Sequence, residues 1–107
     1  MIRGEIWTVA GGVFASKPRP ALVIQDDRFS DSESLTVLPL TSTLREAPLL
    51  RIPVAPSQRS GLVRESQIMI DKLTTVRRSN VQTRVGHLTS AQMVEVERAL
   101  LVFLGIA

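Results

Sequence analysis

Lys17-Pro18-Arg19-Pro20-Ala21-Leu22-Val23-Ile24-Gln25 reads as a stiff entry into a buried strand. The residue before a proline is pushed into extended geometry, and each proline ring fixes its own φ. Arg19 is therefore held between two rigid neighbours at the mouth of a strand over 21–25, whose continuous apolar run suits a strand covered on both faces. Working outward, 5–9 (Glu-Ile-Trp-Thr-Val) is a β-rich run followed by Gly11-Gly12 and a loop to Pro20. Residues 26–34 are polar and predict a loop with room for a helical turn. A third strand over 35–40 ends at Thr41-Ser42. Residues 50–54 alternate apolar and polar, and Pro53, lacking a ladder donor, predicts an edge strand. A fifth strand falls at 66–70, and 80–88 is the candidate for a sixth. Short strands at this spacing predict a small barrel rather than a βαβ sheet.

The chain then changes period. Thr89-Ser90-Ala91-Gln92 is a capping box, in which the hydroxyl accepts from the Gln92 amide while the Gln92 side chain reaches back. Met93, Val96, Leu100 and Phe103 recur at helical spacing, and Gly105 is a plausible stop. This stripe reads as core. Val94, Leu101 and Leu104 lie partly off it and leave room for contact with a second copy. The fold class is thus mainly β, a small barrel with a C-terminal α-helix, in one domain spanning 1–107.

Composition narrows the function. The 107 residues include 44% hydrophobic and no cysteine, which excludes disulfides and thiolate metal sites. The N-terminal segment shows no apolar core of a signal peptide. The longest apolar run, 99–107, is too short to span a bilayer, so a cytoplasmic protein without membrane attachment is expected. The net charge is +3, and the thirteen basic residues are eleven Arg and two Lys. Arginine presents a planar fork that grips phosphate and stacks on bases, so the balance leans toward nucleic acid; it equally describes a solvated arginine surface. His87 is the one histidine. A zinc site or a two-histidine ribonuclease mechanism is therefore not expected, and a lone histidine at a strand end reads as structural. No phosphate-binding glycine loop is present. What remains is arginine, hydroxyls and carboxylates: Arg19 between its prolines, and the hydroxyls of Thr41-Ser42-Thr43, which either bind a phosphate oxygen or close a local turn.

Taken in order, six segments resemble the MazF/PemK family of toxin endoribonucleases. They are Arg3-Gly4-Glu5-Ile6-Trp7-Thr8-Val9, Lys17-Pro18-Arg19-Pro20-Ala21-Leu22-Val23-Ile24, Val37-Leu38-Pro39-Leu40-Thr41-Ser42, Gly61-Leu62-Val63-Arg64-Glu65-Ser66-Gln67-Ile68, Asp71-Lys72-Leu73, and Arg84-Val85-Gly86-His87-Leu88 with the final helix. The resemblance implies a strongly bent antiparallel barrel of the Src-homology-3-like kind. It also implies a homodimer, metal-independent cleavage of single-stranded RNA with no cofactor, and inhibition by a cognate antitoxin. By motif, Arg19 and Thr41 are the implied catalytic residues. Some members use an aspartate on the strand after the Gly-Leu turn; Ser66 stands in its place here, and the adjacent Glu65 is expected on the opposite face.

On this reading Arg19 stabilises the phosphorane and Thr41 holds a non-bridging oxygen. The products are a 2′,3′-cyclic phosphate and a 5′-hydroxyl. The base is left open between Glu5 and a water, since arginine does not deprotonate in proteins. The residues expected to contact RNA are Glu5, Phe14, Lys17, Ser42, Arg64, Ser66 and Gln67, with Arg77, Arg78 and Arg84 as further candidates. Phe14 would either stack on a base or fold onto the barrel. Two alternatives come from other classes. One is a gyrase poison of the CcdB type, whose C-terminal Trp-Gly-Ile is matched here only by Gly105-Ile106; the other is a non-catalytic RNA-binding barrel.

Overall fold

A computed structural model describes residues 1–11 and 17–107. Within these residues the chain forms β1 (Glu5–Val9), β2 (Arg19–Val23), β3 (Ser34–Thr41), β4 (Arg51–Val54), β5 (Ser66–Met69), β6 (Thr74–Arg77), β7 (Val81–His87) and α1 (Ser90–Phe103). All strand pairs are antiparallel, in the order β4-β5-β3-β2-β1-β7 with β6 also on β3. This is the bent barrel with a C-terminal helix that the sequence predicts. Among the described residues, no helix is long and apolar enough to cross a membrane.

The bend is made on β3. Along one edge it pairs β2 through Val37, Leu38 and Pro39. Along the other it pairs β6 from Ser34 to Val37 and then β5 at Leu40 and Thr41. Leu38 and Pro39 fall in the gap, where that edge changes partner. The 3₁₀ turn Ile70–Lys72 joins β5 to β6 at this place. At the other end of the sheet, β1 and β7 slip register twice, between Ile6 and Trp7 and between Trp7 and Val9; such irregularities increase local twist.

Two hydrophobic clusters form on the sheet. Ile6, Leu22, Leu38, Leu40, Ile68 and Ile70 pack with Met93 and Val96 of the helix. Val9, Ala21, Val23, Leu35, Val37 and Val81 form a second cluster on the opposite face. β2 serves both, since alternate residues point to opposite sides, which explains its unbroken apolar run. It also begins two residues earlier than predicted, so Arg19 is its first residue, opposite Val9.

β6 was not expected. Thr74–Arg77 has one strongly apolar residue, Val76, so its sequence carries little period-2 signal, and none of its residues is fully buried. It is a strand because β3 offers it an open edge. β4 lies at the sheet edge, as Pro53 predicts.

The capping box forms in both directions, with Gln92 N–H donating to Thr89 Oγ1 at 3.1 Å and Thr89 N–H to Gln92 Oε1 at 2.8 Å. At the other end Ile106 N–H donates to Leu101 O and Gly105 N–H to Val102 O, with Gly105 at φ +73°. This is the Schellman pattern. Met93 and Val96 are buried, but Phe103 is 45% exposed. The expected stripe ends early because the last helical turn overhangs the barrel, leaving Leu101, Val102, Phe103, Leu104 and Ile106 exposed together.

Candidate functional site

The β2–β3 ladder pairs Ala21 with Pro39. Carried two residues further along both strands, the same register sets Arg19 opposite Thr41, on one face of the sheet. The two side chains line one cavity of about 500 Å³ with Pro39, Met69, Asp71, Lys72, Leu73 and Thr74. Local sequence builds this groove. The prolines stiffen the approach to β2, the partner change on β3 leaves space beside Pro39, and the Ile70–Lys72 turn closes the far wall.

Arg19 is exposed at the start of a strand whose next residues are enclosed. Thr41 Oγ1 accepts from Thr43 N–H at 3.1 Å. The local turn and a ligand role are therefore compatible: with its oxygen accepting, the hydroxyl keeps its own proton to donate. Asp71 and Lys72 stand side by side, Lys72 Nζ 3.9 Å from Asp71 Oδ2, with the Asp71 side chain 29% exposed.

Other expected site residues are placed elsewhere. Glu5 lies four ladder positions from Arg19, since Val9 faces Arg19 on the adjacent strand, and it lines a different cavity with Arg3, Arg84 and His87. Its carboxylate accepts from Ile2 N–H at 2.7 Å, Trp7 Nε1 at 3.0 Å and Arg84 Nε at 2.8 Å. Burial alone would raise its pKa. The Ile2 amide, the Arg84 and Trp7 hydrogen bonds and the Arg84 charge outweigh that and bring it down to about 2. A carboxylate so held is a poor base, and Glu5 stands outside the Arg19–Thr41 groove.

Ser66 does not line the groove either. It is 5% exposed, shares the inward face of β5 with Ile68, and donates its hydroxyl to Arg64 O at 3.0 Å. Glu65 is exposed, as alternation requires. Gln67 faces Thr41 in the β3–β5 ladder, but its amide is spent on the 45–51 segment. Its Oε1 accepts from Arg45 N–H and Arg51 Nη1, and its Nε2 donates to Arg45 O. Ser42 and Arg64 are exposed but do not line the groove, and Lys17 is exposed just before β2. Phe14 lies outside the described residues.

Among the further arginines, Arg78 is structural: it donates to the carbonyls of Ser32, at 2.8 Å, and Ser30, pinning the 26–34 loop. Arg84 is paired with Glu5, and its Nη2 lies 3.3 Å from His87 Nδ1. Arg77 is exposed on β6. The sequence reading gave no role to Asp71, Lys72 or Thr74. Asp71-Lys72 carries a usable signal, a charged pair between two strands, but nothing local ties it to Arg19.

Among the described residues, fold and site together define a small bent antiparallel barrel with one α-helix and a groove lined by an arginine, a lysine, an aspartate and threonines. The model for the PemK-like, MazF-like toxin of type II toxin–antitoxin systems matches residues 2–104. The chain is 54% identical over 108 residues to the probable endoribonuclease MazF of Mycolicibacterium smegmatis, covering 100% of this chain and 99% of that protein. It is 32% identical over 104 residues to endoribonuclease MazF6 of Mycobacterium tuberculosis, covering 92% and 91%. Its fold matches a mycobacterial endoribonuclease solved in complex with its cognate antitoxin, at a TM-score of 0.84 and 21% identity, over 100% of this chain and 97% of that one. The chain belongs to the PemK-like, MazF-like toxin family. Membership favours the ribonuclease reading over the gyrase-poison and non-catalytic alternatives.

Proposed function

We propose that this toxin is an endoribonuclease that cuts single-stranded RNA in the groove between Arg19 and Thr41. The observation that carries the reading is the shared register of β2 and β3, which brings these two residues, distant in sequence, into one cavity. An RNA strand carries its own nucleophile, the 2′-hydroxyl beside the scissile phosphorus. The protein has to align that attack and stabilise the added negative charge. Arg19 presents a preorganised fork to the phosphorane oxygens, and Thr41 donates its hydroxyl proton to a non-bridging oxygen. The products are a 2′,3′-cyclic phosphate and a free 5′-hydroxyl, with no metal or cofactor in the step.

The whole chain acts as one unit in the cytoplasm, in a two-fold homodimer that covers the apolar overhang of α1. A cognate antitoxin neutralises it through an acidic segment that competes with RNA for the basic groove. That one similar fold has been solved with its antitoxin supports the pairing.

Single-turnover cleavage by Arg19→Ala tests the site. The rate falls roughly a hundredfold or more, the scale for losing one transition-state donor, while affinity for an uncleavable 2′-deoxy analogue falls much less. Arg19→Lys does not restore full activity, because a point charge cannot reproduce the fork. Wild-type cleavage by folded Arg19→Ala overturns the assignment.

A further inference from the structure

We propose that Asp71 is the general base, taking the proton from the attacking 2′-hydroxyl; this rests on the Arg19–Thr41 groove being the cleavage site. Among the described residues lining that groove, Asp71 is the one carboxylate, and no imidazole lines it. The rival bases are placed elsewhere. Glu5 is tied to Ile2, Trp7 and Arg84. His87 faces Glu5 across the β1–β7 ladder and lines the same separate cavity. Glu65 lies ahead of β5, outside the groove.

Asp71 is also held in place. Ile70 beside it is fully buried, and its N–H donates to Leu50 O at 2.9 Å. Three residues on, Thr74 is locked against Val37 of β3. The intervening turn therefore presents its carboxylate from a fixed base, still partly open to solvent. Lys72, 3.9 Å away, offsets the negative charge, so a phosphodiester can enter beside a carboxylate.

The step balances without any oxidant or metal. The O2′ proton passes to Asp71, O2′ bonds to phosphorus, and the phosphorus–O5′ bond breaks. O5′ takes a proton from water, and Asp71 returns its proton to solvent.

The test is single-turnover cleavage by Asp71→Ala, Asp71→Glu and Arg19→Ala, with folding checked by circular dichroism and affinity read with a 2′-deoxy analogue. Asp71→Ala lowers kcat roughly a hundredfold or more, the scale of general-base catalysis, and leaves analogue affinity within a few-fold. Formate, a small carboxylate able to occupy the space, restores part of the rate to Asp71→Ala and none to Arg19→Ala. A wild-type kcat in Asp71→Ala overturns the proposal. So does a loss carried by RNA affinity with kcat retained, or a fall in kcat that neither Asp71→Glu nor formate repairs. If Arg19→Ala also cuts at the wild-type rate, the groove itself is not the site; if Arg19→Ala is dead while Asp71→Ala is intact, the groove stands and the base lies elsewhere.

Discussion

Arg84 and Glu5, seventy-nine residues apart in sequence, meet at 2.8 Å where β7 runs beside β1. The pair sits at the start of β1, and Trp7 and Ile2 donate to the same carboxylate. The opening strand of the chain is thereby fixed to the last one before the helix.

The pH dependence of stability follows from this pair. The Glu5 carboxyl moves from 4.5 to about 2 on folding, so its contribution is fully present above about 4.5 and is lost as pH falls toward 2. Allowing for solvent screening, roughly 1–2 kcal/mol is at stake. Glu5→Gln removes most of the stability loss over this window. Urea midpoints measured from pH 6 to pH 2.5 check it; an unchanged pH slope in the variant refutes the assignment.

Thr41 separates a turn from a ligand contact. Thr41→Ser keeps the acceptor for Thr43 N–H and a donatable proton, so cleavage stays within a few-fold of wild type. Thr41→Val loses both and slows cleavage roughly a hundredfold. Both proteins fold, because Thr43 is exposed and its amide can turn to water. Equal activity in the serine and valine proteins counts against the contact.

Gly86 is required by close approach. A Cβ there would lie 2.3 Å from the backbone oxygens of Arg59 and Ser60, and neither carbonyl can swing aside as a flexible side chain would. Gly86→Ala destabilises by about 3 kcal/mol or more, at or above the usual range for overpacking. Thermal melts give the number, and a shift of under 2 °C contradicts the packing.

The overhang of α1 predicts the site of self-association. Leu104 is 51% exposed and Leu101 is 40% exposed beyond the barrel. Leu104→Glu weakens the dimer at least tenfold and leaves the helical circular dichroism signal unchanged. Sedimentation across a concentration series checks it; an unaltered dimer moves the interface to another face.

The elements legible in the sequence are those decided locally. Thr89 and Gln92 fix the helix start because both partners of the capping box lie within one turn. Pro53 marks an edge because a missing N–H is a property of one residue. β6 escaped because Thr74–Arg77 becomes a strand only against Ser34–Val37, some forty residues away. The burial of Ser66 is unmarked for a related reason: its place in the motif says nothing about which face of β5 meets the core. Arg19 stands out through its prolines, whereas the Asp71-Lys72 pair is visible locally but gains its relation to Arg19 only when the turn after β5 is folded against β3.

β2 passes in two steps from an exposed arginine to a fully enclosed alanine, and the two residues after it are enclosed as well. Partial opening costs least where few apolar contacts are broken, and this strand breaks contacts in both clusters if it leaves. Amides of 21–23 should therefore exchange with solvent only through global unfolding. Heating offers no folded but silent intermediate in which Arg19 has swung away, and cleavage and tertiary structure disappear at one temperature.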